Sequence, residues 1–294
     1  MAPSRRTIAL AIAGLVMLAG LALIVQRLEP PSGPGDAALV GEARTGRLIV
    51  DLPQAVGDIR VSEARVPGRP IVLIDPGHGG RDPGATAVSG KVSEKQLTLA
   101  TAFELRDLLV SRGRVRVALT REDDRYLTLE QRAAIARRLG AALFVSLHMD
   151  SAPNPLARGV TVYSLSDVAS SAEAARFAAA ENRAGGALSS EADGSVRALL
   201  ADLALRGQME QSAALASRLV RRAAGPVALR PRPHQFAAFH VLRRAETPAV
   251  LVEAGYISNA DDEAMLATAA GRAPLINALA RAIEADVAAR GPRR

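Results

Sequence analysis

The sequence has no cysteine and no tryptophan among its 294 residues. Without thiols there is no disulfide framework, no thiol nucleophile, and no zinc-finger or iron–sulfur site. Aromatic residues are scarce, five Phe and three Tyr, which argues against stacking platforms for sugars or nucleobases. Only four histidines are present, His78, His148, His234 and His240, so a transition-metal site must be built from these plus carboxylates. No phosphate-cradling loop, dinucleotide fingerprint or nucleic-acid module occurs. The turn Gly77-His78-Gly79-Gly80 lacks both the P-loop spacing and its following Lys. Apolar character and positive charge, by contrast, are plentiful. Hydrophobic residues make up 49% of the chain, enough for a packed body. Lys and Arg total 37 against 30 Asp and Glu, a net +7 that is nearly all Arg. That balance suits a polyanionic or acidic partner and says nothing about fold.

Residues 7–25 are an uncharged apolar run of nineteen, preceded by Arg5 and Arg6. A cleaved signal peptide has an apolar core of about 7–15 residues, and a spanning helix needs roughly 18 or more. The run stands at that boundary, so residues 1–28 are expected to be a membrane anchor or a signal peptide. Gly20-Leu21-Ala22 offers a weak cleavage site, but the run continues through Leu23, Ile24 and Val25. In either case the remainder is expected to be exported to the periplasm, with residues 7–25 tying it to the inner membrane if uncleaved. Residues 29–36 (EPPSGPGD) read as a linker. Up to residue 69 the sequence is short and mixed, with one strand candidate at 48–52.

From residue 70 onward short apolar runs alternate with helical patterns, the mark of an α/β sheet. Strands are expected at 71–75, 115–119, 142–147, 159–164 and 249–252. Ser93-x-x-Gln96 and Thr128-x-x-Gln131 are capping-box patterns that open helices running to about Val110 and Gly140. A last helix is expected over 273–289, with Leu275, Leu279 and Ile283 inward. More than eighty residues separate the strands at 159–164 and 249–252, where a crossover needs about a dozen. That stretch holds helical patterns at 171–183, 195–206 and 208–222, with a Gly/Ser-rich break at 185–194.

Three apolar strands lead into residues fit for metal chemistry: Ile71-Val-Leu-Ile-Asp-Pro-Gly-His78, Ala142-Leu-Phe-Val-Ser-Leu-His148 and Ala249-Val-Leu-Val-Glu253. In an open, mostly parallel sheet the carboxyl ends of the strands share one edge, where ligands bind. Glu94, at the first position of the Ser93-capped helix, can return to that edge. Two imidazoles and one carboxylate with an open fourth position form a known catalytic Zn²⁺ ligand set. Glu253 would then be the acid/base group. For His234 and His240 a structural role is the expectation, His234 in a Pro-flanked loop and His240 in an alternating segment. Asn259 or Ser258 is expected to cap the turn after Glu253.

The ordered segments IVLIDPGHGGRDPGA, SEKQLTLA, TREDDRYLTLEQRAAIA, SLHMDSA and PAVLVEAGYISNADDE resemble the zinc-dependent N-acetylmuramoyl-L-alanine amidases over residues 70–290. The resemblance implies one Zn²⁺ held by His78, Glu94 and His148, with Glu253 catalytic. It also implies a single α/β domain with a mostly parallel six-stranded sheet flanked by helices. The implied reaction is hydrolysis of the amide between N-acetylmuramic acid and L-Ala of the peptidoglycan stem peptide. A subset of the family serving daughter-cell separation has a similar helical insert, here 165–208, that covers the site until an activator protein displaces it. Glu181, in Ala180-Glu181-Asn182, matches the glutamate that can occupy the open metal position. Removing 168–206 is then expected to raise basal activity. Met149-Asp150-Ser151 departs from the more usual Ala-Asn-Ala, and Arg137 and Ala142 stand where Asn and Asp are common. Two other readings stay open on the ligand set alone: a zinc peptidase cutting another wall peptide bond, and a non-catalytic wall-binding regulator.

Overall fold

The apolar runs of the sequence form the middle of a seven-stranded sheet in a computed structural model that describes residues 57–184 and 196–290. The chain divides into two units, Met1–Asp51 and Leu52–Arg294, and every described residue lies in the second. The apolar run 7–25, the linker 29–36, the strand candidate 48–52 and the Gly/Ser-rich break 185–194 lie outside the described residues. Among the described residues no helix is long and apolar enough to cross a membrane.

The strands are β1 (Val61–Ser62), β2 (Ile71–Pro76), β3 (Arg116–Leu119), β4 (Leu143–His148), β5 (Val160–Leu165), β6 (Leu229–Ala237) and β7 (Ala249–Glu253). They lie in the order β1-β3-β2-β4-β7-β5-β6. The helices are α1 (Glu94–Arg112), α2 (Leu129–Arg138), α3 (Ala172–Ala184), α4 (Val196–Ala223), α5 (His240–Arg244), α6 (Ala260–Leu266) and α7 (Ala269–Arg290). The expected six-stranded, mostly parallel sheet is therefore corrected to a seven-stranded mixed one. β2, β3, β4 and β7 are mutually parallel, whereas β1 pairs antiparallel with β3 and β5 antiparallel with β7. A short apolar run buries both faces equally well in either direction, so strand polarity at 160–165 left no trace in the pattern.

β6 was not anticipated. Its sequence LRPRPHQFA carries two prolines, and prolines are tolerated there because β6 is an edge strand, with a ladder on one side alone. His234 thus sits in a strand, bonded to Ser164 Oγ at 2.9 Å and Ser217 Oγ at 3.3 Å, not in a loop. His240 opens α5 instead of lying in an extended segment. The two helices expected at 195–206 and 208–222 are one, α4, running through Gly207. Glycine costs a helix about 1 kcal/mol relative to Ala, less than the packing of Leu215 and Leu219 returns.

Both sheet faces are covered. Val72, Ile74, Val145, Leu147, Val250 and Val252 point to one side, against Leu105 and Leu109 of α1 and Leu275, Leu279 and Ile283 of α7. Leu73, Phe144, Tyr163 and Leu251 point to the other, against Ile135 of α2, Phe177 of α3 and Leu242 of α5. Caps set the helix starts. Ser93 N donates to Gln96 Oε1 at 3.0 Å. Thr128 and Gln131 close a reciprocal box at 2.9 and 3.2 Å. Asn259 Oδ1 accepts from the amides of Asp261 and Asp262, capping α6.

Candidate metal centre

Backbone pairing alone puts two of the expected site residues side by side. β4 and β7 stay in register to their last pair, His148 opposite Glu253, and directly opposed residues project on one face. His78 follows β2, and its loop is sewn to β4 by Gly77 N donating to Leu147 O at 2.9 Å. His78 adopts φ 59°, a left-handed conformation costly for a residue other than glycine.

Glu94 closes the group from the first turn of α1. Its Oε1 accepts from Met149 N at 2.8 Å and its Oε2 from Ala85 N at 2.9 Å. The same oxygens lie 3.2 Å from His148 Nδ1 and 3.1 Å from His78 Nε2. Those two contacts are in ion-pair range without hydrogen-bond geometry, so both ring nitrogens are buried without a hydrogen-bond partner, as is Glu253 Oε1. Two glycines make room. A Cβ on Gly77 would stand 2.6 Å from the His148 ring, and one on Gly84 (φ 65°) would stand 2.6 Å from Glu94 Oε2.

Asp82 completes the arrangement and was missed by sequence reasoning. Its Oδ2 lies 2.9 Å from His78 Nδ1, which fixes the ring and leaves Nε2 turned toward Glu94. The signal was present as an acidic residue four positions after His78, but there it reads as an ordinary turn aspartate. The departures at 149–150 also find an explanation: Met149 and Asp150 act through their amides, Asp150 N donating to Glu253 Oε2 at 2.9 Å. Those bonds are indifferent to the side chain.

Glu181 comes from the last turn of α3, with Oε2 3.5 Å from His148 Nδ1. Ligand atoms of His78, His148 and Glu181 lie within 4.8 Å of one another. The space left among Gly77, His78, His148, Glu181 and Phe239 is about 20 Å³, the scale of a single water. α3 is fastened there by Asn182, whose Nδ2 donates to Ala238 O and whose Oδ1 accepts from His240 N, both at 2.8 Å.

The buried imidazoles and carboxylates shift one another strongly. Burial disfavours a charged His78, yet Glu94 and Asp82 carry its pKa up to about 11. Burial would likewise raise Glu94, but the two imidazoles hold it well below the usual carboxylate range. Glu253 goes the other way, pushed well up by burial and then by the charges of Asp150 and Glu94. Burial also lifts Asp150 to about 6. Two unpartnered ring nitrogens beside buried carboxylate oxygens fit a divalent metal of the zinc type.

Comparison with known proteins gives a concordant result. The family model Amidase_3, described as N-acetylmuramoyl-L-alanine amidase, matches residues 72–285. The chain is 37% identical over 220 residues to N-acetylmuramoyl-L-alanine amidase AmiA of Escherichia coli K12, covering 74% of this chain and 75% of that one. It is 33% identical over 202 residues to the probable amidase AmiB of Haemophilus influenzae, covering 66% of this chain and 47% of that one. Among solved structures, the catalytic domain of the amidase CwlV from Bacillus (Paenibacillus) polymyxa var. colistinus superposes with a TM-score of 0.53 at 27% identity. The match covers 73% of this chain and 96% of that domain.

Proposed function

The chain belongs to the N-acetylmuramoyl-L-alanine amidase family, and from that membership we propose a zinc-dependent peptidoglycan hydrolase whose site is held shut at rest. The bond cut is the amide between the lactyl group of N-acetylmuramic acid and L-Ala of the stem peptide. The observation that carries the zinc reading is the pair of buried, unpartnered nitrogens His78 Nε2 and His148 Nδ1 facing Glu94. These three residues hold the ion. When bound, Zn²⁺ polarises the scissile carbonyl and lowers the pKa of water toward about 7. Glu253 takes the proton of the attacking water on its unpartnered Oε1 and passes it to the departing L-Ala amine.

α3 is the resting plug. With Glu181 beside His148 and about 20 Å³ of free space, the stem peptide has no way in. Activity therefore depends on a population shift that moves α3, driven by an activator protein during wall remodelling and daughter-cell separation. Residues 7–25 serve as the export signal or inner-membrane anchor, so the enzyme works in the periplasm. With so few aromatics, wall targeting rests on that segment, on charge or on a partner.

The test is digestion of purified sacculi read by mass spectrometry. Released peptides should begin at L-Ala, and shortened stems still on glycan would point to another bond. Glu253→Gln should lower turnover about 10²-fold or more with zinc content unchanged. Near-normal hydrolysis by that variant would sink the assignment.

A further inference from the structure

Two buried arginines donate to three successive backbone carbonyls, those of Pro76, Gly77 and His78. Arg132 of α2 donates through Nη1 to Pro76 O at 2.8 Å and through Nη2 to His78 O at 2.7 Å. Its Nη1 also meets Asp75 Oδ1 at 2.7 Å, and its Nε meets Leu127 O at 3.2 Å. Arg121, two residues past β3, donates through Nε to Pro76 O at 3.1 Å and through Nη2 to Gly77 O at 2.8 Å. Asp75 is itself locked, accepting from Thr120 Oγ1 at 2.6 Å and Ser146 Oγ at 2.8 Å. Arg121, Arg132 and Asp75 are all at least 95% buried.

We propose that Arg132 and Asp75 are positioning residues of the metal centre, holding the 75–78 turn so that His78 keeps its left-handed backbone and presents Nε2 to the ion. This rests on the metal reading above. Neither residue has a hydrogen bond to a ligand nitrogen, and Arg132 reaches His78 through that residue's own carbonyl. A φ of 59° is kept by a non-glycine residue only where the surroundings over-determine it, and the carbonyl on Arg132 Nη2 belongs to that very residue. The task needs a guanidinium. Arg132 serves one carboxylate and three carbonyls from one planar fork, which the point charge of Lys cannot reproduce. The carboxylate is needed for the same reason. Without its charge a buried guanidinium lacks its counter-ion and the fork is free to tilt. Ser146 of β4 and Thr120, the residue just past β3, hold Asp75 from the two sides of β2, so the clamp ties His78 to the sheet that also carries His148.

The test uses the full chain with Asp75→Asn, Arg132→Lys and, as a packing control remote from the site, Leu219→Ala. Zinc affinity is measured by chelator competition, and ligand geometry by the visible spectrum of the cobalt-loaded protein. Asp75→Asn and Arg132→Lys should each weaken zinc about ten- to hundred-fold, the range typical of residues that orient ligands, and alter the cobalt spectrum. Leu219→Ala should lower Tm while affinity and spectrum stay as in the wild type. If Arg132→Lys fails to fold, the isosteric Asp75→Asn decides alone. Zinc binding by the wild type with unchanged affinity and spectrum in folded variants overturns this inference and leaves the metal site standing. No stoichiometric zinc in the wild type overturns both.

Discussion

The cradle around His78, Glu94 and His148 and the helix α3 that lies over it are held by different kinds of contact. In the cradle, nearly every fastening runs through backbone: strand register, Gly77 N to Leu147 O, amides 85 and 149 to Glu94, and carbonyls 76–78 to two guanidinium groups. α3 is attached by side chains, through a small buried face of Ala174, Phe177 and Ala178 and polar contacts around it. Phe177 packs on Tyr163 and Phe239, Asn182 bridges to 238 and 240, Tyr126 donates to Ala184 O, and Glu173 pairs with Arg230. The proposed movement of α3 over a fixed cradle would use this division, since movable elements come from the less stable end of a structure.

Several substitutions would sharpen or break the contrast. Gly84→Ala attacks the cradle, because its Cβ would meet Glu94 Oε2 and the His78 ring at a left-handed φ. It should cost tenfold or more in zinc affinity, measured by chelator competition, and wild-type affinity would show that the cradle has slack. Phe177→Ala removes the aromatic anchor of α3, a change worth up to about 3–5 kcal/mol for a buried ring. Hydrogen exchange should rise over α3 and leave β4 protected. Loss of protection in both would mean that the two regions are one cooperative unit. Glu181→Ala should raise basal sacculus hydrolysis about tenfold if the plug contributes about 1.4 kcal/mol of closure, and lower hydrolysis would argue against the plug. Asn182→Ala removes two hydrogen bonds of about 1 kcal/mol each or less and should raise basal activity severalfold. These point changes are cleaner than excising 168–206, because Ala174, Phe177 and Ala178 belong to the packed core.

Much of the site was legible along the chain because three of its residues, His78, His148 and Glu253, end or follow apolar strands. Residues 71–78, 142–148 and 249–253 announce a buried run ending in a metal-competent side chain, and the caps at Ser93 and Thr128 located α1 and α2. Asp82, Asp75 and Arg132 were not legible. An acidic residue in a turn, one inside a strand and an arginine on a helix all have ordinary surface readings, and their partners lie up to 71 positions away. β6 escaped notice because its prolines argue against any strand except an edge strand, and which strand lies at the edge is a property of the sheet.

The sequence by itself determined the chemistry available: no thiol, two well-placed imidazoles, Glu94 at a helix start and Glu253 at a strand end. Local patterns sufficed because burial periodicity and capping act within a few residues. Only the tertiary structure decided the reversed direction of β5 and β6, the carbonyl clamp on residues 76–78, and the approach of Glu181 to His148. Those depend on which distant segments meet, and the free energies that choose between such meetings are spread over many weak contacts.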